Sequence, residues 1–434
     1  MRVSVESTGT LGRRLEVSVP ADQVEAQFKE RLKSFSRTAR LKGFRPGKAP
    51  LSVIQKRFGN QLREEVVGEL VRSSLAQALN EAKLAPAGTG PRIESLSADS
   101  GQDLRYAATF EVYPEIEIKG LDSLAVVKPV AEPSAGDVEA MIDTLRLQKA
   151  SYLPVSRAAH DTDQLTLDFE GRIDGNTFTG GTGRGIKVIQ GEGRMLKAFE
   201  TGIAESTAGE TRKFPVTFPA DYGEESLAGR TAEFEVTVTE VAERTLPPLD
   251  EAFCREFGVA DGGVEQLRRE VEDNMRRELD MTIRGRLRQA VLDQLLAANP
   301  LDLPAGDVER QVQVLQAEWL KRVGAAARDL KERPPREPFE PTARRRVALG
   351  LLIGELVRRE QIRVDQAQVN QRVEAAATAY PDPEEAARQI RDRPELVAQL
   401  EAATLEDQVV DWLLSRAKVT DQPASYRDVM NFGA

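Results

Sequence analysis

The sequence predicts a multidomain α+β chain with an α+β head, a β-rich middle and a long-helix C-terminal body. Three observations predict it. The 434 residues exceed what one core accommodates. Alternating apolar residues mark strands near the N-terminus and through a turn-rich stretch at about 151–243. From Leu246 onward the apolar spacing is helical.

The elements follow in order. Val3 and Val5, then Leu15, Val17 and Val19, alternate around Gly9 to Gly12 and read as a hairpin. Asp22, with Glu25 three places on, reads as a capping box. The helix it opens has the stripe Val24, Phe28, Leu32, Phe35 and Ala39, and stops before Gly43. Pro50 opens a short helix with Leu51, Ile54 and Phe58. A separate long helix follows Gly59, with Leu62, Val66, Leu70, Leu75 and Leu79. Strands return at about 91–97 and 104–118, closing a first domain over 1–113. Residues 114–150 are a connector with one strand, Leu124–Val130, and one helix, Gly136–Ala150. The β-rich domain spans 151–243, with turns at Asp174-Gly175-Asn176, Gly180-Gly181, Gly191 to Gly193 and Asp221-Tyr222-Gly223.

The rest, 244–434, is helical. Leu267, Val271, Met275, Leu279, Ile283, Leu287, Val291 and Leu295 recur every fourth residue. Such a stripe drifts by about 40° per step. The helix must therefore meet different neighbours along its length or leave part of its stripe open. Further helices are expected at about 305–331, 341–361, 366–377 and 395–417, with turns at Pro334-Pro335 and Pro381–Pro383.

Composition removes several function classes. There is one cysteine, Cys254, and one histidine, His160, so a His/Cys zinc site and a Ser-His-Asp triad are not expected. Cys254 reads as a small buried hydrophobe, His160 as a solvated loop residue, and Trp319 and Trp412 as packing anchors. The lone cysteine fits a reducing cytoplasm. Met1 to Leu15 lacks the apolar run of a secretory signal, and no 18-residue apolar stretch exists. A cytoplasmic chain with no membrane partner is expected. The net charge of −10 is uneven: residues 1–113 carry 18 Lys and Arg against 13 Asp and Glu, a net of +5, and the remainder carries −15. A basic head on an acidic body suggests that the head alone meets a polyanion.

The charge peaks between Lys29 and Arg57, where ten basic residues face one acid, Glu30. At its centre lies Gly43-Phe44-Arg45-Pro46-Gly47-Lys48-Ala49-Pro50, an apolar knob among cations inside a two-glycine turn. On charge alone this reads equally as a solvated face. The string resembles the ribosome-binding signature of trigger factors. That resemblance implies that Gly43, Phe44, Arg45, Gly47 and Lys48 contact the large ribosomal subunit near the exit tunnel, on a ribosomal protein with adjacent ribosomal RNA.

A second resemblance lies in Leu167-Asp168-Phe169-Glu170-Gly171 and in Gly191-Glu192-Gly193-Arg194-Met195-Leu196-Lys197-Ala198-Phe199-Glu200. With Phe218-Pro219-Ala220-Asp221-Tyr222-Gly223 these are similar to FK506-binding prolyl isomerases, over about 163–241. The resemblance implies a bent antiparallel sheet wrapped on one helix, and a catalytic lining of Phe169, Phe178, Ile186, Met195, Leu196, Phe199, Tyr222 and Phe234. Thr179 departs from the pattern, standing where many relatives carry an acid. The chemistry asks for no nucleophile, metal or cofactor. An unaided X–Pro bond turns over in tens to hundreds of seconds. An apolar lining disfavours the charge-separated planar amide more than the twisted one.

In the trigger factor family the helical remainder and residues about 114–150 form a chaperone body with arms, and the isomerase domain lies inserted between body segments. The resemblance thus implies a ribosome-associated chaperone that shields nascent and unfolded polypeptides and isomerises X–Pro bonds. The winding stripe at 267–295 could supply open apolar contacts for clients, or it could be packed core, or be covered in a homodimer of the free protein. Two other readings compete. A general isomerase with merely supporting flanks has no reason to carry the basic hairpin. A nucleic-acid binder sits poorly with the net charge of −10 and with the lack of interleaved aromatics.

Overall fold

The computed structural model describes residues 1–39, 41, 44, 50–99, 101–224, 226–324 and 333–430. The chain divides into two compact units, Met1–Lys128 with Gly285–Thr420, and Pro129–Arg284 with Asp421–Ala434. In chain order come β1 (Arg2–Ser7), β2 (Gly12–Val19), α1 (Ala21–Thr38), α2 (Leu51–Glu81), β3 (Arg92–Ser97), β4 (Leu104–Glu111) and β5 (Ala125–Val130). The middle holds α3 (Ala135–Gln148), β6 (Ser151–Pro154), β7 (Gln164–Ile173), β8 (Asn176–Ile189), α4 (Lys197–Ile203), β9 (Thr211–Thr217) and β10 (Thr231–Thr245). Then follow α5 (Glu251–Glu256), α6 (Gly263–Ala298), α7 (Ala305–Val323), α8 (Glu340–Glu360), α9 (Gln366–Ala377), α10 (Pro383–Arg391), α11 (Pro394–Arg416), β11 (Lys418–Pro423) and α12 (Tyr426–Met430). The architecture is the expected multidomain α+β one.

In the first unit an antiparallel sheet of order β1-β2-β4-β3 buries Leu15, Val17 and Val19 against Val66, Val67 and Leu70 of α2. The hairpin register sets Val3 opposite Val17 and Val5 opposite Leu15, as the alternation requires. Asp22 and Glu25 do not form a capping box. The N-cap of α1 is Pro20, which has no side-chain acceptor, and the first helical amide, at Ala21, donates to Asp103 Oδ1 at 3.0 Å. The cap thus comes from 82 residues away, where no local pattern could announce it.

Gly59 does not separate two helices. α2 runs unbroken through it, because Ile54 and Leu62 on either side are fully buried in one cluster with Phe28, Leu32 and Leu41. That packing outweighs the roughly 1 kcal/mol a mid-helix glycine costs. β4 stops at Glu111 rather than continuing to 118, with only a bridge from Val112 to Pro86 beyond it. Pro381–Pro383 is not merely a turn. The Asp382 side chain caps Glu385 N at 3.0 Å and Pro383 opens α10.

All eight residues of the 267–295 stripe are buried, so the stripe offers no open apolar face. The drift is resolved by a change of neighbours. In the second unit Met275 shares a hollow with Met141 and Tyr426. In the first, Gln294 bonds the backbone N–H and carbonyl of Ala125, and Arg288 pairs with Glu406 and Asp407. Asn299, just past α6, bonds the backbone of Lys119 at 2.7 and 3.1 Å. Cys254 is buried, as expected, and His160 is exposed.

The second unit contains a five-stranded antiparallel sheet. β6, β10, β7 and β8 lie in that order, and β9 pairs with the N-terminal half of β10. A bulge between Val238 and Glu240 lets one long strand serve both partners on its bend. α4 covers the concave face, burying Phe199 and Ile203 against Leu165, Leu167, Val236 and Val238. The Asp174-Gly175 turn, with φ of 51° and 81°, joins β7 to β8 in the left-handed conformation a tight hairpin needs.

Candidate functional site

The concave face of this sheet holds a cavity of about 460 Å³, within the range of ligand sites. Strand register puts the rings there. Phe169 on β7 stands opposite Val236 on β10, and Phe234 on β10 stands between Gly171 on β7 and Phe214 on β9. β8 adds Phe178, and α4 adds Phe199 from below. Gly191 and Gly193 take left-handed φ of 79° and 68°, bending the chain so that Arg194, Met195 and Leu196 reach the cavity before α4 begins.

The rings interlock, most of them edge to face. Phe234 lies 5.3 Å from Phe199, 6.0 Å from Phe169 and 6.2 Å from Phe178, centroid to centroid. Phe199 also meets Phe169 at 5.9 Å and Phe214 at 5.6 Å. Phe178 meets Phe218 at 6.0 Å, which in turn packs on Tyr222 at 4.9 Å. Such contacts add about 0.5–1.5 kcal/mol each beyond area burial and hold the rings in one arrangement. Glycines make room for them. A Cβ on Gly171 would stand 2.7 Å from Phe234, and one on Gly183 would stand 2.7 Å from Phe169.

Of the eight expected lining residues, Phe169, Phe178, Met195, Leu196, Phe199, Tyr222 and Phe234 share the cavity. Ile186 does not. It is 41% exposed, and its Cγ1 stands beside the Phe169 ring around Gly183. A register shift between Leu167 and Phe169 sets Ile186 opposite Leu167 and Gly183 opposite Phe169. Reading by position alone missed Val216, Phe218 and Leu227, which complete the wall. Val216 and Phe218 alternate on and just beyond β9, a period-two signal present in the sequence.

Tyr222 is 38% exposed at the rim, and its hydroxyl has no hydrogen-bond partner among the described residues. Arg194 is the one charged side chain among the described lining residues. The cavity can therefore take an apolar five-membered ring, hold the preceding amide away from water, and offer a phenolic donor at its edge.

At the base of the N-terminal hairpin, Phe28, Leu32, Leu41, Ile54 and Leu62 form a small core with Phe35 and Phe58. Phe44 lies outside it, 41% exposed, as do Leu51 and Val53. Lys29, Lys33, Arg37 and Lys56 are exposed and pair with no acid among the described residues, whereas Arg31 bonds Glu65 at 2.9 Å. Gly43, Arg45, Gly47 and Lys48 lie outside the described residues. No helix among the described residues is long and apolar enough to cross a membrane.

Sheet, helix and aromatic cavity together define a protein with a prolyl isomerase domain of the FKBP type. A family model for FKBP-type peptidyl-prolyl cis-trans isomerases matches residues 155–239. Models for the bacterial trigger factor protein and its C-terminus match residues 1–145 and 263–415. The trigger factor of Azotobacter vinelandii is 42% identical over 430 residues, covering 99% of this chain and 98% of its own. That of Thioalkalivibrio sulfidiphilus is 43% identical over 431 residues with the same coverage. A solved structure described as "Promiscuous Substrate Recognition in Folding and Assembly Activities of the Trigger Factor Chaperone" covers 96% of this chain with a TM-score of 0.51. At 18% identity that likeness shows the fold alone. The chain belongs to the trigger factor family. It is thus a ribosome-associated chaperone with peptidyl-prolyl isomerase activity.

Proposed function

We propose that the aromatic cavity is the isomerase site and that the Phe44 hairpin is the docking element. The observation that carries the first is the interlocked set Phe169, Phe178, Phe199 and Phe234 closing on an otherwise apolar hollow. Proline enters between these rings. The planar amide loses more solvation there than the twisted one, so the barrier falls. Met195 and Leu196 hold the ring from the α4 side, and Tyr222 donates to the carbonyl as the bond twists.

Docking uses exposed cations around an apolar knob. Phe44, Arg45 and Lys48, within the Gly43–Lys48 string, meet a ribosomal protein beside the exit tunnel, and the flanking Lys29, Lys33, Arg37 and Lys56 meet nearby RNA phosphates. The functional parts of the chain are then 1–113 for docking, 151–243 for isomerisation, and 114–150 with 244–434 as the client-holding body. The chain works in the cytoplasm, and off the ribosome a homodimer covers surface that otherwise faces clients. Co-sedimentation with ribosomes tests the docking role: a chain with Phe44, Arg45 and Lys48 all changed to Ala stays in the supernatant. Full retention of that variant in the ribosome pellet would show the role to be wrong.

A further inference from the structure

Two hollows of the second unit share one side chain. The aromatic cavity and a neighbouring groove of about 430 Å³ are both lined by Arg194. The groove continues along Leu147 and Gln148 of α3, Tyr152 of β6 and Arg244 of β10. A proline seated in the cavity leaves its flanking residues to run out past the mouth. An extended chain advances about 3.3 Å per residue, so the second or third residue from the proline comes within reach of a guanidinium on the rim.

The charges around that path are unbalanced. Glu192 lies 3.4 Å from Arg194 and 3.4 Å from Arg244. The Arg244 side chain is 18% exposed and stays with Glu192, whereas that of Arg194 is 81% exposed. The three groups carry a net +1, with the surplus on the side chain that faces the substrate path. We infer that Arg194 is a specificity-determining residue of the isomerase, selecting X–Pro segments that carry a carboxylate two or three residues from the proline and lie along the groove beside α3. The inference rests on the reading of the cavity as the isomerase site.

An exposed ion pair of this kind changes kcat/KM by about two- to fivefold. The test uses the full chain and two peptides around one central Phe-Pro step, identical except for Glu or Lys at the second residue out on both sides. Isomerisation is followed by NMR exchange at low salt and at high salt. Wild type favours the Glu peptide about two- to fivefold at low salt and loses the preference at high salt. Arg194→Glu inverts it, and Arg194→Lys keeps it. A ratio near one in wild type overturns the inference, as does a ratio that Arg194→Glu or Arg194→Ala leaves in place. An arginine that merely braces the Gly191–Gly193 bend would slow both peptides alike. If wild type accelerates neither peptide, the cavity assignment itself has failed. Brisk turnover without charge preference refutes only the role of Arg194.

Discussion

Replacing Gly171 with alanine tests whether the rings are held where the cavity needs them. A Cβ at this position stands 2.7 Å from Cε1 and 2.9 Å from Cζ of Phe234, and 3.1 Å from Cε1 of Phe178. Carbon atoms pack comfortably only from about 3.5 Å, so the Phe234 ring must retreat by roughly 0.8 Å. Phe199 meets it at 5.3 Å centroid to centroid and Phe169 at 6.0 Å, and it is 7% exposed, so it is forced against those rings and into the cavity it lines. Forced overpacking of this kind costs about 1–3 kcal/mol. Backbone strain adds nothing, since Gly171 is not among the glycines with positive φ. Local opening of β7 and β10 is therefore easier by the same amount, and their amides exchange about 5- to 150-fold faster in native-state hydrogen exchange. Isomerase activity falls in parallel, because the rings pushed inward are the cavity walls. Adding Phe234→Leu vacates the space, so the double variant is less destabilised than the two single effects summed. Unchanged exchange and unchanged turnover in Gly171→Ala would refute the packing argument.

Phe199→Leu keeps an apolar side chain but removes the floor ring shared by Phe169, Phe214 and Phe234, and proline-limited refolding catalysed by this variant slows by about tenfold. A wild-type rate would take Phe199 out of the site. The Glu210 carboxylate is held down to about 2, chiefly by Arg212, whose guanidinium also bonds the carbonyls of Ala204 and Glu205 at the end of α4. A depressed carboxylate stabilises the fold above its ordinary value near 4.5 and loses that contribution as pH falls toward 2. An NMR titration of Glu210 with its midpoint near 4.5 would contradict this, and Glu210→Gln removes the pH-dependent part of α4 stability. Asn299→Ala strands the Lys119 N–H that Asn299 Oδ1 accepts at 2.7 Å and costs about 1–3 kcal/mol in denaturant unfolding of the first unit. No change in midpoint would mean that the Asn299 contact does not hold the connector.

How much was legible depended on how local each determinant is. The β1–β2 hairpin, the long stripe of α6 and the ring-bearing strands follow from periods of two and about four residues, which the chain displays directly. The two short strings around Phe169 and Phe199 carried the cavity because glycines and rings sit there at fixed spacing. β11 was not legible: all six of its residues are exposed, and only pairing with β5 makes it a strand. The register shift between Leu167 and Phe169 was not legible either, because a bulge leaves no mark on composition.

The sequence by itself determined the kinds of element and their order, the basic hairpin with its apolar knob, and the set of aromatic residues from which an isomerase site could be built. Tertiary structure alone decided which of those rings face one another and that Arg194 stands between two hollows. It also decided that Asp103 caps α1 and that the drifting stripe of α6 is covered rather than open. The physical reason is range. Periodicity and propensity act over a few residues, whereas contacts such as Ala21 to Asp103 or Lys119 to Asn299 join groups 82 and 180 residues apart and exist only once the chain has closed.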